Sequence, residues 1–486
     1  MTLVLASCLN DPESLWSELQ THWRQGELVG LAPPQDQPQL AAAVLGDDGR
    51  DRVMADGAGQ VGSFHTPETG HRLEAIPEQA APAAGADSTP PGPDWRESSW
   101  GPALVLGSGG SSGGRRWCLQ PLSHLEASAH ACGTWLSRQG IDPGACLHLN
   151  ALPLHHVSGL MPLIRSRQWG AALRWLPPEL MRTPELLPRD SPLPGGRPVL
   201  LSLVPTQLHR LLASPEAVDW LRRCTLIWVG GAPLSAELAA RARRAHLPMA
   251  PCYGATETAA MVCALPPQRF LAGAEGCGAP LHDVELALEG DSGAVAVRTA
   301  RVSPGWFEAG RLHPFIDTEG WWRSGDAGSW GPRSPGTDSG VLTQRQPATG
   351  ATGGPDRSLL IHGRLDGAIH SGGETVFPEQ VRQRLLDLIL QAGLPVTELL
   401  VLGEPDLPWG ERLVALVRWD GQRLAASDHA EEAQLLRRLA KLAETLAPSQ
   451  RPRQWLPCPM LTSSDSGKWQ LARWREWLRS QSPHRD

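Results

Sequence analysis

Between Ala103 and His246 the chain alternates short apolar runs with helical patterns. ALVLGS is followed by HLEASAHACGTWLSRQG, then by VLLSLV, TQLHRLLAS, TLIWV and SAELAARARRAH. Strand-length apolar runs separated by amphipathic segments predict α/β layering around a largely parallel sheet. Ser235 stands at a helix start, where its hydroxyl can accept from free first-turn NH groups. After Gly363 the pattern changes. Pro378 opens a helix through VRQRLLDLIL, LLVLG and RLVALVRW read as strands, and EEAQLLRRLAKLAETL has the spacing of an amphipathic helix. The pattern therefore predicts a large α/β domain over residues 1–362 and a small α+β domain over 363–486.

Two segments carry less pattern. From Gln35 to Pro93 the chain is rich in Ala, Gly, Pro and Asp, which predicts strands and loops of uneven order around AAAVLG. Residues 331–358 lack the apolar content that offsets ordering entropy, so they read as a flexible surface insertion without chemistry of its own.

Length and composition agree with the two-part division, since 486 residues exceed one simple core. A net charge of -7 gives no general attraction to nucleic acid or to an anionic membrane, so neither is an expected partner. Nine scattered cysteines without a CxxC pair read as reduced thiols, which suits the cytoplasm. The short apolar run in MTLVLASCLNDPESLW has no basic flank ahead of it, which argues against a secretory signal. No run of eighteen apolar residues predicts a membrane span.

Composition also singles out two positions. The chain writes its aromatics mostly as Trp and its cations as Arg, yet one tyrosine, Tyr253, opens YGATET, and one of two lysines, Lys468, sits in SSDSGKW. In YGATET an aromatic ring can stack on a base, a threonine can donate to phosphate and a carboxylate can hold Mg²⁺. The string Ser108-Gly109-Gly110-Ser111-Ser112-Gly113-Gly114-Arg115-Arg116 is either a phosphate cradle or a Gly/Ser linker. It is not a Walker loop, because Arg115 and Arg116 stand where that pattern needs lysine and a magnesium-binding hydroxyl. His155 and His156 follow a strand-like run, and Gly230, Gly231 and Ala232 mark a strand-to-helix turn. Read singly, these are more often a core histidine and a tight turn than site residues. Asp326 in WWRSGDAG is a carboxylate of the kind that accepts ribose hydroxyls, and GRLDGAIHSGGET places Arg364, Asp366, Gly372 and Gly373 together before a helix.

Taken in this order, the strings resemble the adenylate-forming acyl-CoA synthetases from about Ala103 onward. The resemblance implies a mobile small domain and a two-step reaction of a small-molecule carboxylate with ATP, Mg²⁺ and CoA. The loop from Ser108 through Gly109, Gly110, Ser111, Ser112 and Gly113 to Arg116 would cradle the β,γ-phosphates, although the family usually ends this loop with Pro-Lys. By the same resemblance, His156 would stand beside the acyl carboxylate, and Gly230, Gly231 and Ala232 would line the adenine and acyl pockets. Tyr253 would stack on adenine with Gly254 beside it, Thr256 would bind the α-phosphate, and Glu257 would hold Mg²⁺. Asp326 would take the ribose hydroxyls with Arg364 close by, and Asp366 would be the hinge. Ser371, Gly372 and Gly373 would line the pantetheine tunnel, and Lys468 would bridge the two anionic reactants. SLVPTQLHRLL and LPLHHVSGL are most similar to the 2-succinylbenzoate-CoA ligases of menaquinone and phylloquinone biosynthesis, with Arg210, Ser158 and Thr206 as candidates for the second carboxylate. Another aryl- or fatty-acyl-CoA ligase, or a non-catalytic nucleotide-binding relative, would share the nucleotide strings.

Overall fold

The computed structural model describes residues 2–7, 9–46, 100–108, 116–332, 351–352, 357–372, 374–407, 409–420, 429–463 and 469–481. Most of the segment expected to be of uneven order, and most of the expected insertion, lie outside them.

Most of the alternating stretch lies in a seven-stranded sheet of order β11-β10-β9-β8-β7-β5-β6, whereas its first run, ALVLGS, is strand β3 (Ala103–Ser108) of another sheet, where it pairs antiparallel with the strand that follows it. Its members are β5 (Leu147–Asn150), β6 (Ala172–Trp175), β7 (Val199–Leu203), β8 (Leu226–Val229), β9 (Met249–Ala255), β10 (Ala260–Ala264) and β11 (Ala279–Pro280). Strands β5 to β9 are mutually parallel, whereas β10 runs antiparallel to β9 and β11 antiparallel to β10. The parallel strands read as unbroken apolar runs because both faces are covered. Leu201 and Ile227 enter one core with Trp220, while Leu200, Leu226 and Trp228 enter the core on the other face.

Two further sheets complete the large part. One has the order β1-β2-β3-β4-β14-β15, built from β1 (Leu3–Leu5), β2 (Leu28–Leu31), β3 (Ala103–Ser108), β4 (Arg116–Pro121), β14 (Gly305–Glu308) and β15 (Arg311–Pro314). The other, antiparallel throughout, has the order β17-β12-β13-β16-β18. Its strands are β12 (Glu285–Glu289), β13 (Ala294–Arg298), β16 (Trp322–Trp330), β17 (Ala351–Thr352) and β18 (Leu359–Arg364). Helices in this part include α1 (Pro12–Arg24), α2 (Gln37–Leu45), α3 (Leu122–Arg138), α4 (Val157–Trp169), α5 (Pro205–Leu211), α6 (Pro215–Arg222) and α7 (Ala236–Arg244). Ser235 caps α7 as expected, accepting from Leu238 N at 3.0 Å.

The AAAVLG segment departs from the expectation of strands and loops, because it lies in α2. Ala and Leu favour a helix, Pro38 sits in the first turn, and Leu40, Ala41 and Val44 supply one buried face.

β18 still pairs with β16, and the next sheet begins at β19 (Ile369–Ser371), so the change of sheet falls at Leu365–Gly367. The small part has the order β20-β19-β22-β21, with β20 (Glu374–Val376), β21 (Val396–Asp406), β22 (Gly410–Trp419) and β23 (Gln454–Pro457) parallel to β22. Leu399 and Val401 face α8 (Pro378–Gln391) and α9 (His429–Ala443), whereas Leu400 and Leu402 face α10 (Leu471–Gln481) through Trp474 and Leu478. That two-residue alternation is what a strand covered on both sides requires. Among the described residues no helix is long and apolar enough to cross a membrane.

Leu201 is fully buried at the centre of the parallel sheet. Leu201→Ala should cost about 3 kcal/mol, read as a lower urea midpoint at unchanged slope for the large part's transition.

Candidate active site

Tyr253 lies on β9 and its hydroxyl donates to Asp326 Oδ2 on β16 at 2.6 Å. Asp326 is the register partner of Arg364 on β18. Arg364 NH1 donates to the Ser324 carbonyl at 2.6 Å and stands 3.7 Å from Asp326, while Nε and NH2 donate to Asp366 at 3.2 and 3.1 Å. One chain of contacts thus links four of the residues singled out in the sequence: Tyr253, Asp326, Arg364 and Asp366. Burial, then the Asp326 charge, pushes the Tyr253 phenol well above its ordinary value, so it stays a donor. Burial also raises the Asp326 carboxyl, against the lowering effects of the Tyr253 hydrogen bond and the Arg364 charge. The geometry explains the use of tyrosine at this place: it combines a flat ring with a terminal hydroxyl, which Trp and Phe lack.

The turn after Tyr253 is fixed through its backbone. A Cβ on Gly254 would stand 2.1 Å from the Ala260 carbonyl, so only glycine fits there. Gln120 Nε2 donates to the Thr256 carbonyl, and Ser303 N donates to the Glu257 carbonyl at 2.7 Å. Arg301, only 1% exposed, donates to the carbonyls of Thr258 at 2.7 Å and Met261 at 3.0 Å and pairs with Asp283 at 2.7 Å. These supports hold Thr256 and Glu257, both half-buried, next to Tyr253.

His156 is the N-cap residue of α4, with its ring 4.4 Å from that of His155. The loop before it is held by buried Asn150, whose Nδ2 donates to the Gly159 carbonyl at 2.7 Å and whose Oδ1 accepts from Leu152 N at 3.1 Å. Gly230, Gly231 and Ala232 follow β8, and a Cβ on Gly230 would lie 2.8 Å from Cys252 Sγ, so this turn rests on the residue before Tyr253. Ser108 ends β3 opposite Arg116 at the start of β4, and the Arg116 guanidinium lies 5.2 Å over the Trp306 ring. Gly109, Gly110, Ser111, Ser112 and Gly113 lie outside the described residues, as do Gly373 and Lys468. In the small part, Ser371 is buried and Gly372, at φ +60°, donates its NH to the Trp409 carbonyl at 2.9 Å. Ser158 and Arg210 are exposed, and Thr206 is half-buried on α5.

The sequence reading missed Arg165. It sits on α4 and is 4% exposed, with its guanidinium 4.7 Å over the Trp228 ring and NH2 donating to Cys132 Sγ at 3.2 Å. Its Nε has no partner, and among the described residues no carboxylate forms an ion pair with it. Trp228, under its guanidinium, stands two residues before Gly230 and belongs to the core cluster against which Cys252 and Tyr253 pack. The signal was present: Arg165 follows Met161 by four and Val157 by eight residues, on the apolar face of its own helix.

The chain belongs to the AMP-binding enzyme family, whose sequence pattern matches residues 63–305, half of the chain. Within that class it is similar to the 2-succinylbenzoate-CoA ligase of Escherichia coli (strain K12), 28% identical over 334 residues that span 68% of this chain and 60% of that protein. The counterpart from Salmonella typhimurium is 30% identical over 312 residues, 64% of this chain and 55% of that protein. The chain thus matches less than two thirds of the length of either relative. The fold is that of the o-succinylbenzoate CoA synthetase of Bacillus subtilis, solved with the acyl-adenylate intermediate, with a TM-score of 0.64 at 19% identity over 99% of this chain and 88% of that one.

His148, also buried, is held neutral by burial and the Arg165 charge, its pKa lowered from 6.5 to about 3. The unfolded chain binds this proton more readily, so the contribution to stability is present above 6.5 and is lost as pH falls toward 3. The melting temperature should therefore drop between pH 7 and pH 5 more in the wild type than in His148→Phe, measured by scanning calorimetry.

Proposed function

We propose that this protein is a cytoplasmic acid-thiol ligase that forms 2-succinylbenzoyl-CoA from 2-succinylbenzoate, ATP and CoA, a step of menaquinone or phylloquinone synthesis. The observation that carries the choice of acid is Arg165: a buried guanidinium over Trp228, in the core cluster that Tyr253 packs against and with no carboxylate partner among the described residues, suits an acid with a second carboxylate. Arg210 is exposed and less suited to that role. The names of the curated relatives agree with this acid.

In the first half-reaction, a carboxylate oxygen of the acid attacks the α-phosphorus of ATP and pyrophosphate leaves. Tyr253 offers its ring to adenine while its hydroxyl holds Asp326, whose remaining lone pairs accept the ribose hydroxyls. Glu257, a single carboxylate, would hold the magnesium ion that accompanies a triphosphate, and the ion would neutralise phosphate charge. Thr256 meets the α-phosphate, the loop from Ser108 to Arg116 takes the β,γ-phosphates, and His156 faces the acyl carboxylate. Lys468 supplies a compact cation between two anionic reactants and follows the charge that gathers on phosphate oxygens. In the second half-reaction the CoA sulfur attacks the acyl carbon and AMP leaves, with Ser371, Gly372 and Gly373 lining the approach. Asp366, at the change of sheet, is the hinge between the two arrangements, and Arg364 ties that hinge to the ribose-binding carboxylate.

The test is coupled detection of the CoA thioester, AMP and pyrophosphate from 2-succinylbenzoate, ATP, Mg²⁺ and CoA, alongside the methyl ester at the distal carboxylate. Turnover of the diacid with at least tenfold preference over the ester is expected, about the worth of one charge-assisted contact; equal use of both would refute the assignment of the acid. Separately, Lys468→Ala should slow acyl-adenylate formation by about a hundredfold or more while sparing thioester formation from supplied acyl-adenylate. Equal loss in both half-reactions would remove Lys468 from that role.

A further inference from the structure

Three buried polar atoms without a protein partner gather around the Trp228 ring: Arg165 Nε, His148 Nε2 and Trp228 Nε1. The Arg165 guanidinium lies 4.7 Å from that ring's centre and the His148 ring 6.3 Å, and the His148 ring also lies 5.1 Å from the ring of Trp169. Their residues are 4%, 1% and 3% exposed. They come from three elements, α4, β5 and β8, so no local motif brings them together. Buried polar groups are almost always hydrogen-bonded, and three unmatched ones in a single neighbourhood require a shared explanation.

Their chemistry narrows it. Arg165 Nε and Trp228 Nε1 can only donate, and a neutral imidazole with its proton on Nε2 donates too. With His148 in that tautomer, three N–H donors, one of them cationic, beside a thiol and without an ion-paired carboxylate among the described residues make an environment for an anion with several lone pairs. A carboxylate offers about four acceptor positions on two oxygens. His148 remains uncharged beside Arg165, so it contributes a directed hydrogen bond without adding a second cation.

We propose that His148 and Trp228 are specificity-determining residues that donate, together with Arg165, to the distal carboxylate of the diacid. The inference rests on the proposed function and adds two residues to it. In this arrangement Trp228 acts through its face on Arg165 and through its edge on the ligand, while Trp169 holds the His148 ring in place through its own bond from Nε1 to the Ala129 carbonyl at 3.0 Å. An acid with a neutral distal group leaves all three donors unmatched, so rejection of such acids is built into the same cluster.

The experiment titrates 2-succinylbenzoate and its distal methyl ester into wild type, His148→Phe, His148→Gln and Trp228→Phe by calorimetry, with near-ultraviolet circular dichroism to verify the fold. The phenylalanine variants keep an aromatic filler and remove one donor each, whereas glutamine restores a donor. In the wild type the diacid should bind more tightly than the ester. His148→Phe and Trp228→Phe should each weaken the diacid by about tenfold, the scale of one hydrogen bond to a charged group, with the ester moved less than twofold and His148→Gln recovering most of the loss. If the wild type prefers the diacid but the folded variants weaken both ligands alike, the roles of His148 and Trp228 are overturned while the assignment of the acid stands. If the wild type binds diacid and ester equally, both fall.

Discussion

A 2.6 Å hydrogen bond from Tyr253 to Asp326 joins the parallel sheet to the antiparallel one, and the candidate site is organised around it. Asp326 is bound on one side by the phenol and faces Arg364 on the other, and Arg364 in turn holds Asp366, where the chain passes toward the small part. The carboxylate therefore sits between a residue at the end of β9 and the change of sheet. Its position cannot shift without moving either the turn that carries Thr256 and Glu257 or the joint itself. The supports behind that turn, Gln120, Ser303 and Arg301, fix its backbone by its carbonyls, so geometry at the site is set by main chain rather than by adjustable side chains.

The parts of this arrangement that were legible in the sequence are those dictated locally. Alternating apolar and amphipathic runs gave the centre of the parallel sheet, because VLLSLV and TLIWV become β7 and β8 and each is followed by the helix its pattern predicts. Ser235 and Pro378 marked helix starts through cap chemistry that depends on neighbours only a few residues away. The other two sheets of the large part were not legible, because pairings such as Gly305 with Leu119 join strands far apart in sequence. The AAAVLG run misled for a different reason: its loose surroundings drew attention from a helix-forming core that needs only one buried face.

The site shows the same division. Tyr253, Asp326, Arg364 and Asp366 stood out because of rare residue types or strings around them, and the structure brings these four together. Arg165 and His148 lie in none of the quoted strings, and Trp228 enters only as one residue of the apolar run TLIWV. Each occupies an ordinary position in a helix or strand, and their common property, burial without a partner, exists only once α4, β5 and β8 are packed. Arg210 had the opposite fate, since a cation next to a suggestive string turned out to point away from the interior.

Burying a guanidinium without a counter-ion is costly, and the chain offsets only part of that cost through the face of Trp228 and the sulfur of Cys132. Packing a leucine in place of Arg165 would be simpler if stability were the only demand. The neutral His148 beside it sharpens the point, since a carboxylate there would have paired the charge and closed the cluster. Under the proposed function, the arrangement provides instead a cation whose partner comes with the ligand. Binding energy would then be concentrated at the end of the acid remote from the reacting carboxylate, where it can position the reacting end without taking part in the chemistry. Such a design ties recognition of the acid to a polar deficit in the protein core, so selectivity comes as much from what an incorrect acid leaves unpaired as from what the correct one contacts.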